Sequence, residues 1–228
     1  MTNFIKHHTE KVILMKVTSR DRPEVLKSTV DKYIQLAEDL DKMVWLFTCD
    51  QDDKASIDVC SQFNVRNKVI GIGTSKNKID AINRDLGLLS NYTWDILLNI
   101  SDDQIPVVAG YDNIIRKAMP NDLDGSLWFS DGWQSRINTQ EILGRKYLQR
   151  FGYIYNPEYK SFFCDNESTE VAKQLGKLIY DRRCLIKHFH PGWDSNSHIK
   201  RDALYVKNDA HWQHDEDLFK HRQSINFK

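Results

Sequence analysis

The stretch Asp95-Ile-Leu-Leu-Asn-Ile-Ser-Asp-Asp-Gln-Ile-Pro106 decides how the rest of the chain is read. Ile96 to Ile100 is a short apolar run with the length of a buried strand. It stops at two adjacent carboxylates, Asp102 and Asp103, and Pro106 breaks strand pairing just beyond them. Open α/β sheets collect their ligands beyond the carboxyl ends of their strands. Two hard oxygen ligands there suit Mg2+ or Mn2+, ions that keep waters and take further ligands from a substrate diphosphate. The same residues also read as a solvated acidic turn, so the flanking sequence must choose.

Working outward towards the N-terminus, Lys76 to Leu89 carries Ile79, Ile82, Leu86 and Leu89 on one helical face and predicts an amphipathic helix. Before it, Lys68 to Ile72 reads as a strand and Ala55 to Phe63 as a short helix. Val44 to Thr48 is a further strand, ending at Cys49-Asp50. Val12 to Val17 is another, followed by Thr18-Ser-Arg-Asp-Arg-Pro23 and a helix that Pro23 opens. Strand–helix alternation over the first hundred residues predicts a parallel, doubly wound α/β sheet.

The second half is less regular. A short helix around Ile114 and Ile115 precedes a strand at Leu127 to Phe129 and the turn Asp131-Gly-Trp133. An aromatic segment, Phe151 to Phe163, leads into a helix from Asp165 to about Leu175. Cys184 to Phe189 reads as a strand ending in His188-Phe-His-Pro191, and the tail from about residue 199 has helical spacing. Neither an internal repeat nor a linker breaks the chain, so a single domain over residues 1–228 is expected.

The 228 residues suffice for one sizeable core, and 32 basic against 32 acidic side chains leave no global field for nucleic acid or anionic membrane. No apolar run is long enough to span a bilayer, and MTNFIKHHTEK has no signal-peptide core. Cys49, Cys60, Cys164 and Cys184 are scattered without a CxxC pair, as expected of reduced thiols in a cytoplasmic protein.

Each candidate group carries a bland alternative. Arg20 and Arg22, beside Ser19 and a helix N-terminus, suit diphosphate oxygens or are ordinary surface arginines. Asp50 is placed to accept a hydrogen bond from a base N–H, or serves turn chemistry. Gly71-Ile-Gly-Thr-Ser-Lys-Asn-Lys78 lacks the ending of a phosphate-binding P-loop, yet Lys76 and Lys78 are placed to face phosphate. Asp165 and Glu167 open a helix, as an N-cap or as a general base at a cleft mouth. His188 and His190 are two apart on a strand and so share a face. With the acid pair, one imidazole completes an Asp/His/diphosphate metal shell, and His190, at the strand's end, is the expected ligand. Trp133 beside Asp131, and Trp193 beside Pro191, are core residues or platforms for a sugar ring.

In order and spacing these residues resemble the family 2 glycosyltransferases of the GT-A fold. The matching elements are TSRDRPEVL, Cys49-Asp50, KIDAINRD before WDILLNISDDQIP, GRKYLQRFGYIYNPEYKSFFCDNE and IKHFHP, from about Val12 to His190. The SDD and the FGYIY…CDNE block look like the compact bacterial and phage-encoded branch. The resemblance implies a Rossmann-like mixed sheet with helices on both faces and a nucleotide-sugar donor, UDP- or GDP-linked. It implies Asp102 and Asp103 as counterpart of the metal–nucleotide DxD motif, although SDD is not a spaced Asp-x-Asp. Asp50 then reads the base, Arg20 and Arg22 lie near the diphosphate, and Asp165-Asn-Glu167 takes the place of the acidic motif that supplies the base. The motif here is not a plain Glu-Asp, so Asp165 and Glu167 both stand as candidates.

The resulting expectation is a metal-dependent transferase of the bacterial or phage-infected cytoplasm, moving a sugar to an acceptor hydroxyl with inversion. A glycan, a protein, a metabolite or a hydroxymethylated base in phage DNA all fit as acceptor, the last disfavoured by neutral net charge. Two rivals are a nucleotidylyltransferase acting on sugar phosphates and a non-catalytic sugar-binding module. The first would normally carry a Gly- and Lys-rich loop where SRDRP stands, and the second has no need for polar residues at every strand end.

Overall fold

A computed structural model of the chain describes residues 11–133, 135–190, 192 and 201–228. Four parallel strands, β1 (Ile13–Thr18), β2 (Met43–Asp50), β3 (Lys68–Gly73) and β4 (Ile96–Ser101), lie in the order β3-β2-β1-β4. Thr18 is in register with Thr48 on one side and Ser101 on the other, so the strands deliver their carboxyl ends to one edge. The sheet continues through β7 (Ile142–Gly144), β6 (Ser126–Phe129) and β8 (Leu178–Asp181). β7 runs antiparallel to both β4 and β6, and β6 is parallel to β8. The expected parallel half is present, and the added strands make the sheet mixed.

Period-two alternation sorts the strand residues into two cores. Ile13, Met15, Val17, Trp45, Phe47, Leu98 and Ile100 pack on one face, against α1 (Pro23–Leu36), α2 (Lys54–Gln62) and α4 (Tyr111–Ala118). Leu14, Leu46, Leu97 and Leu143 face the other way, towards α3 (Lys78–Asn83), α5 (Arg145–Phe151) and α6 (Cys164–Gln174). Both faces are covered, which is why these strands read as continuous apolar runs.

Three local expectations are corrected. The helix expected over Lys76 to Leu89 is broken: α3 ends at Asn83, Asp85 takes a left-handed conformation (φ 73°), and Leu86–Leu89 is a separate short 3-10 turn. Gly71 makes room for that break, because a Cβ there would lie 2.1 Å from Asp85 Oδ2. Pro106 does not stop strand pairing at once but ends the short strand β5 (Gln104–Pro106). That strand pairs antiparallel with β9 (Ile186–His188), outside the main sheet, so the histidine strand is shorter than expected and forms a flap over the edge.

The tail forms α7 (Ala203–Asp209) and α8 (Trp212–Ser224). Arg222 of α8 forks onto Glu167 of α6, with Nε–Oε2 at 2.7 Å and Nη2–Oε1 at 2.9 Å. The wholly buried Asp215 accepts the backbone N–H groups of Lys160, Ser161 and Phe162, clamping the loop that leads into α6. Among the described residues no helix is long and apolar enough to cross a membrane. The four cysteines are free, with Cys49 Sγ 3.6 Å from Cys60 Sγ.

Candidate active site

A cleft of about 670 Å³ opens over the carboxyl edge of the sheet. Ser19, Arg20, Arg22, Asp50, Lys76, Lys78, Asp102, Asp103, Asp165, His188 and His190 all line it. Parallel pairing explains the gathering: β1, β2 and β4 end side by side, and whatever follows each strand must face the same space.

The acid pair is asymmetric. Asp102 has both oxygens engaged, accepting from the Ser19 hydroxyl at 2.6 Å and from Arg22 Nη1 at 3.2 Å. Burial pushes its carboxyl up, aided by the charge on Asp103, against the pull of Arg22. Asp103 Oδ2 accepts from the Tyr205 hydroxyl at 3.0 Å and lies 3.4 Å from His188 Nε2, while its Oδ1 is buried without a hydrogen-bond partner. Burial opposes ionisation of Asp103, but the His188 imidazole outweighs it and holds the carboxyl well below the usual range. Such an orphaned, ionised oxygen is a cation ligand in waiting.

His188 is fixed from behind. Asp131 Oδ2 lies 3.8 Å from its Nδ1, and Thr139 Oγ1 donates to the same carboxylate oxygen at 2.6 Å. Burial disfavours the imidazolium, yet Asp103 and Asp131 together push its pKa up to about 9. His190 stands edge-on to His188, with ring centroids 5.6 Å apart, and its Nδ1 accepts from Gly192 N at 3.1 Å. Burial and the neighbouring imidazole lower its pKa. β9 ends at His188, and it is His188, not His190, that lies against Asp103. Among the described residues no three His, Cys, Asp or Glu side chains cluster as a metal cage.

Arg20 donates to Asp50 through Nη1 and to Asp52 through Nη2, the latter at 2.7 Å. Asp50 Oδ1 accepts from Ser75 N at 2.8 Å, so both of its oxygens are engaged, each with a lone pair to spare. Beneath them Lys16 is fully buried, donating to the Thr48 hydroxyl and to the Ala81 carbonyl (3.2 Å). Burial brings its pKa down to about 7, against the charge of Asp85.

Asp165 sits in the first turn of α6, which Phe163 opens at φ 59°. Its carboxyl is raised by burial, opposed by the Asn166 N–H and by the Lys78 and His188 charges. Glu167 is not in the cleft. Two residues on, about 200° round the helix, it faces the far side of α6, where Tyr159, Asn156 and Arg222 hold it. Trp133 is likewise outside the cleft, half-exposed, with its indole N–H on the His188 carbonyl at 3.0 Å. Asp131 faces His188 and not the cleft, and Trp193 and Pro191 lie outside the described residues.

Sequence reasoning missed Asp202 and Tyr205. Arg22 Nε and Nη2 donate to the two oxygens of Asp202 at 2.6 and 2.7 Å, and the Arg22 guanidinium lies 4.7 Å over the Tyr205 ring. An N-cap signal was available, since Asp202 accepts from Leu204 N and Tyr205 N to open α7. Nothing in the sequence ties that cap to Arg22.

The mixed sheet and its edge cleft are shared with solved structures. The mannosyltransferase PcManGT of Pyrobaculum calidifontis, solved with GDP-Man and Mn2+, superposes with a TM-score of 0.64 at 11% identity, over 79% of this chain and 57% of that one. The chain has the GT-A glycosyltransferase fold. Other structures sharing the GT-A fold with it include residues 1–349 of Staphylococcus aureus TarS (TM-score 0.61, 10% identity, 78% and 60% covered). A third is the glucosyl-3-phosphoglycerate synthase of Mycobacterium tuberculosis with Mg2+ and UDP (TM-score 0.52, 11% identity, 78% and 71% covered). The 4-diphosphocytidyl-2C-methyl-D-erythritol synthase of Anaerococcus prevotii also aligns, over 90% of this chain and 99% of its own, with a TM-score of 0.50 at 12% identity. The chain spans 57% and 60% of the first two GT-A proteins' lengths. No protein-family profile matches the sequence, and no curated protein does.

Proposed function

We propose that the protein is a cytoplasmic, metal-dependent glycosyltransferase that moves a sugar from a UDP- or GDP-linked donor to an acceptor hydroxyl. The observation that carries this reading is the acid pair at the end of β4, where Asp103, lining the cleft, turns Oδ2 to His188 and keeps a buried Oδ1 without a hydrogen-bond partner. Asp103 and His188, the latter on giving up the proton that Asp103 and Asp131 hold on it, would bind Mn2+ or Mg2+, with water and donor phosphate completing the shell. The metal, when bound, neutralises charge on the departing diphosphate. Arg22 and Arg20 grip the diphosphate from the β1 end, Lys78 adds charge from the start of α3, and Asp50 with Ser75 borders the base.

Asp165 serves as the general base. Burial raises its pKa towards the working range, and it lines the same cleft as the acid pair. It removes the proton of the acceptor hydroxyl as the oxygen attacks the anomeric carbon opposite the diphosphate, which inverts that centre. Glu167 takes no part.

The test is titration of UDP and GDP, with and without Mn2+, followed by a donor-hydrolysis screen across nucleotide sugars. Metal-dependent binding and slow release of sugar support the reading. If the protein instead makes pyrophosphate from a nucleoside triphosphate and a sugar phosphate, it is a nucleotidylyltransferase. The alignment to the Anaerococcus synthase over 90% of this chain keeps that reading alive. Binding of sugars without nucleotide or turnover would make it a sugar-binding module.

A further inference from the structure

Arg22 is the cation best placed to hold a diphosphate, and its bidentate edge is already taken. Nε and Nη2 face the two carboxylate oxygens of Asp202 at 2.6 and 2.7 Å, and only Nη1 turns inward, to Asp102 at 3.2 Å. A planar guanidinium offers carboxylate and phosphate the same fork, so a diphosphate arriving at that edge competes with Asp202 for the same donors. Three residues on, Tyr205 donates to Asp103 Oδ2 at 3.0 Å and packs its ring under Arg22 at 4.7 Å. It also meets His190 edge-on, with centroids 5.5 Å apart. One short segment thus covers the phosphate-binding fork and one of the two oxygens of the metal-facing carboxylate.

We propose that residues 202–205 are an intramolecular strap that occupies the donor site, Asp202 standing in for the diphosphate on Arg22 and Tyr205 masking Asp103. The proposal rests on the donor site being where the preceding section puts it. The donor binds only when the strap has left, and a metal gains the second Asp103 oxygen when it does, so each lowers the cost of opening for the other, and the two bind cooperatively through it. The apparent donor affinity is the intrinsic affinity scaled by the open fraction.

Asp202 also caps α7, so its replacement must keep the cap. Asp202→Ser preserves an N-cap oxygen but removes the charge and the reach to Arg22. In calorimetric titration with UDP and with GDP in the presence of Mg2+, Asp202→Ser is expected to bind at least about tenfold more tightly than the wild type. Tyr205→Phe keeps the ring and loses the hydroxyl, and is expected to tighten binding of Mn2+ alone. In the wild type, backbone amides of 203–209 are expected to exchange with deuterium faster once UDP or GDP is bound, a readout that needs no variant. Affinity in Asp202→Ser equal to or weaker than wild type, or exchange at 203–209 unchanged or slowed by nucleotide, overturns the strap while leaving the donor site intact. No binding of either nucleotide by wild type and Asp202→Ser alike overturns the donor reading and the strap with it.

Discussion

Glu141 precedes β7 and is fully buried, its backbone carbonyl accepting from Asn99 N at 2.9 Å in the floor of the sheet. Burial, reinforced by the Asp165 charge and partly offset by the Ser168 hydroxyl, pushes its pKa from 4.5 up to about 8. The native state therefore holds a proton there that the unfolded chain releases near pH 4.5. The stability this contributes is fully present below 4.5 and is lost as pH rises towards 8. Each pH unit inside that window costs about 1.4 kcal/mol, so from pH 5 to pH 8 the loss from this one group is about 3–4 kcal/mol. For a domain with a stability of about 5–15 kcal/mol this is a large share. Glu141→Gln keeps the shape and cannot ionise, so the difference between variant and wild type isolates the effect from every other titrating group. Urea unfolding of both proteins at pH 5, 6, 7 and 8 reads it directly. The variant should gain on the wild type steadily with pH. Two parallel stability profiles would show that Glu141 is ionised in the native state and that the reasoning from burial is wrong.

Asp103→Asn is expected to abolish Mn2+-dependent binding of UDP or GDP while shifting the melting temperature by only a few degrees; titration and a thermal melt together read this. His188→Ala should lose more metal affinity than His190→Ala, because His188 lies against Asp103, and the opposite order in metal titrations would restore His190 as ligand. Asp165→Asn should slow transfer by roughly 10²–10⁴-fold at unchanged donor affinity, the usual contribution of a general base. Glu167→Gln, in contrast, should leave the chemistry intact in a kinetic assay but destabilise the fold by about 1–3 kcal/mol, since the half-buried Arg222 loses its charged fork on Glu167 and keeps Glu158 at 3.6 Å. Collapse of transfer in a stably folded Glu167→Gln would return Glu167 to the site.

Much of this was legible from local pattern. The apolar runs Val12 to Val17, Val44 to Thr48 and Ile96 to Ile100 read as strands because burial on both faces demands continuous hydrophobicity, and parallel strands necessarily bring their ends to one edge. Asp102, Asp103 and Arg22, which follow those strands, were therefore expected at one edge, whereas Asp165 and the two histidines were named from a helix start and a strand alternation. What local pattern cannot carry is the direction of a side chain once the chain leaves regular structure. Strand alternation put His188 and His190 on one face but not which of them meets Asp103, since that depends on β9 pairing with β5 and ending at His188. Both acids of CDNE open a helix, and the sequence favoured Asp165 as the base without saying what holds Glu167. Only the packing of α8 pairs Glu167 with Arg222 on one side of α6, while Asp165 lines the cleft. The left-handed turn at Asp85, tucked against Gly71, breaks a helix whose hydrophobic spacing runs straight through. The Arg22–Asp202 pair joins residues 180 positions apart. No propensity acts over that distance, and only the fold brings the two together.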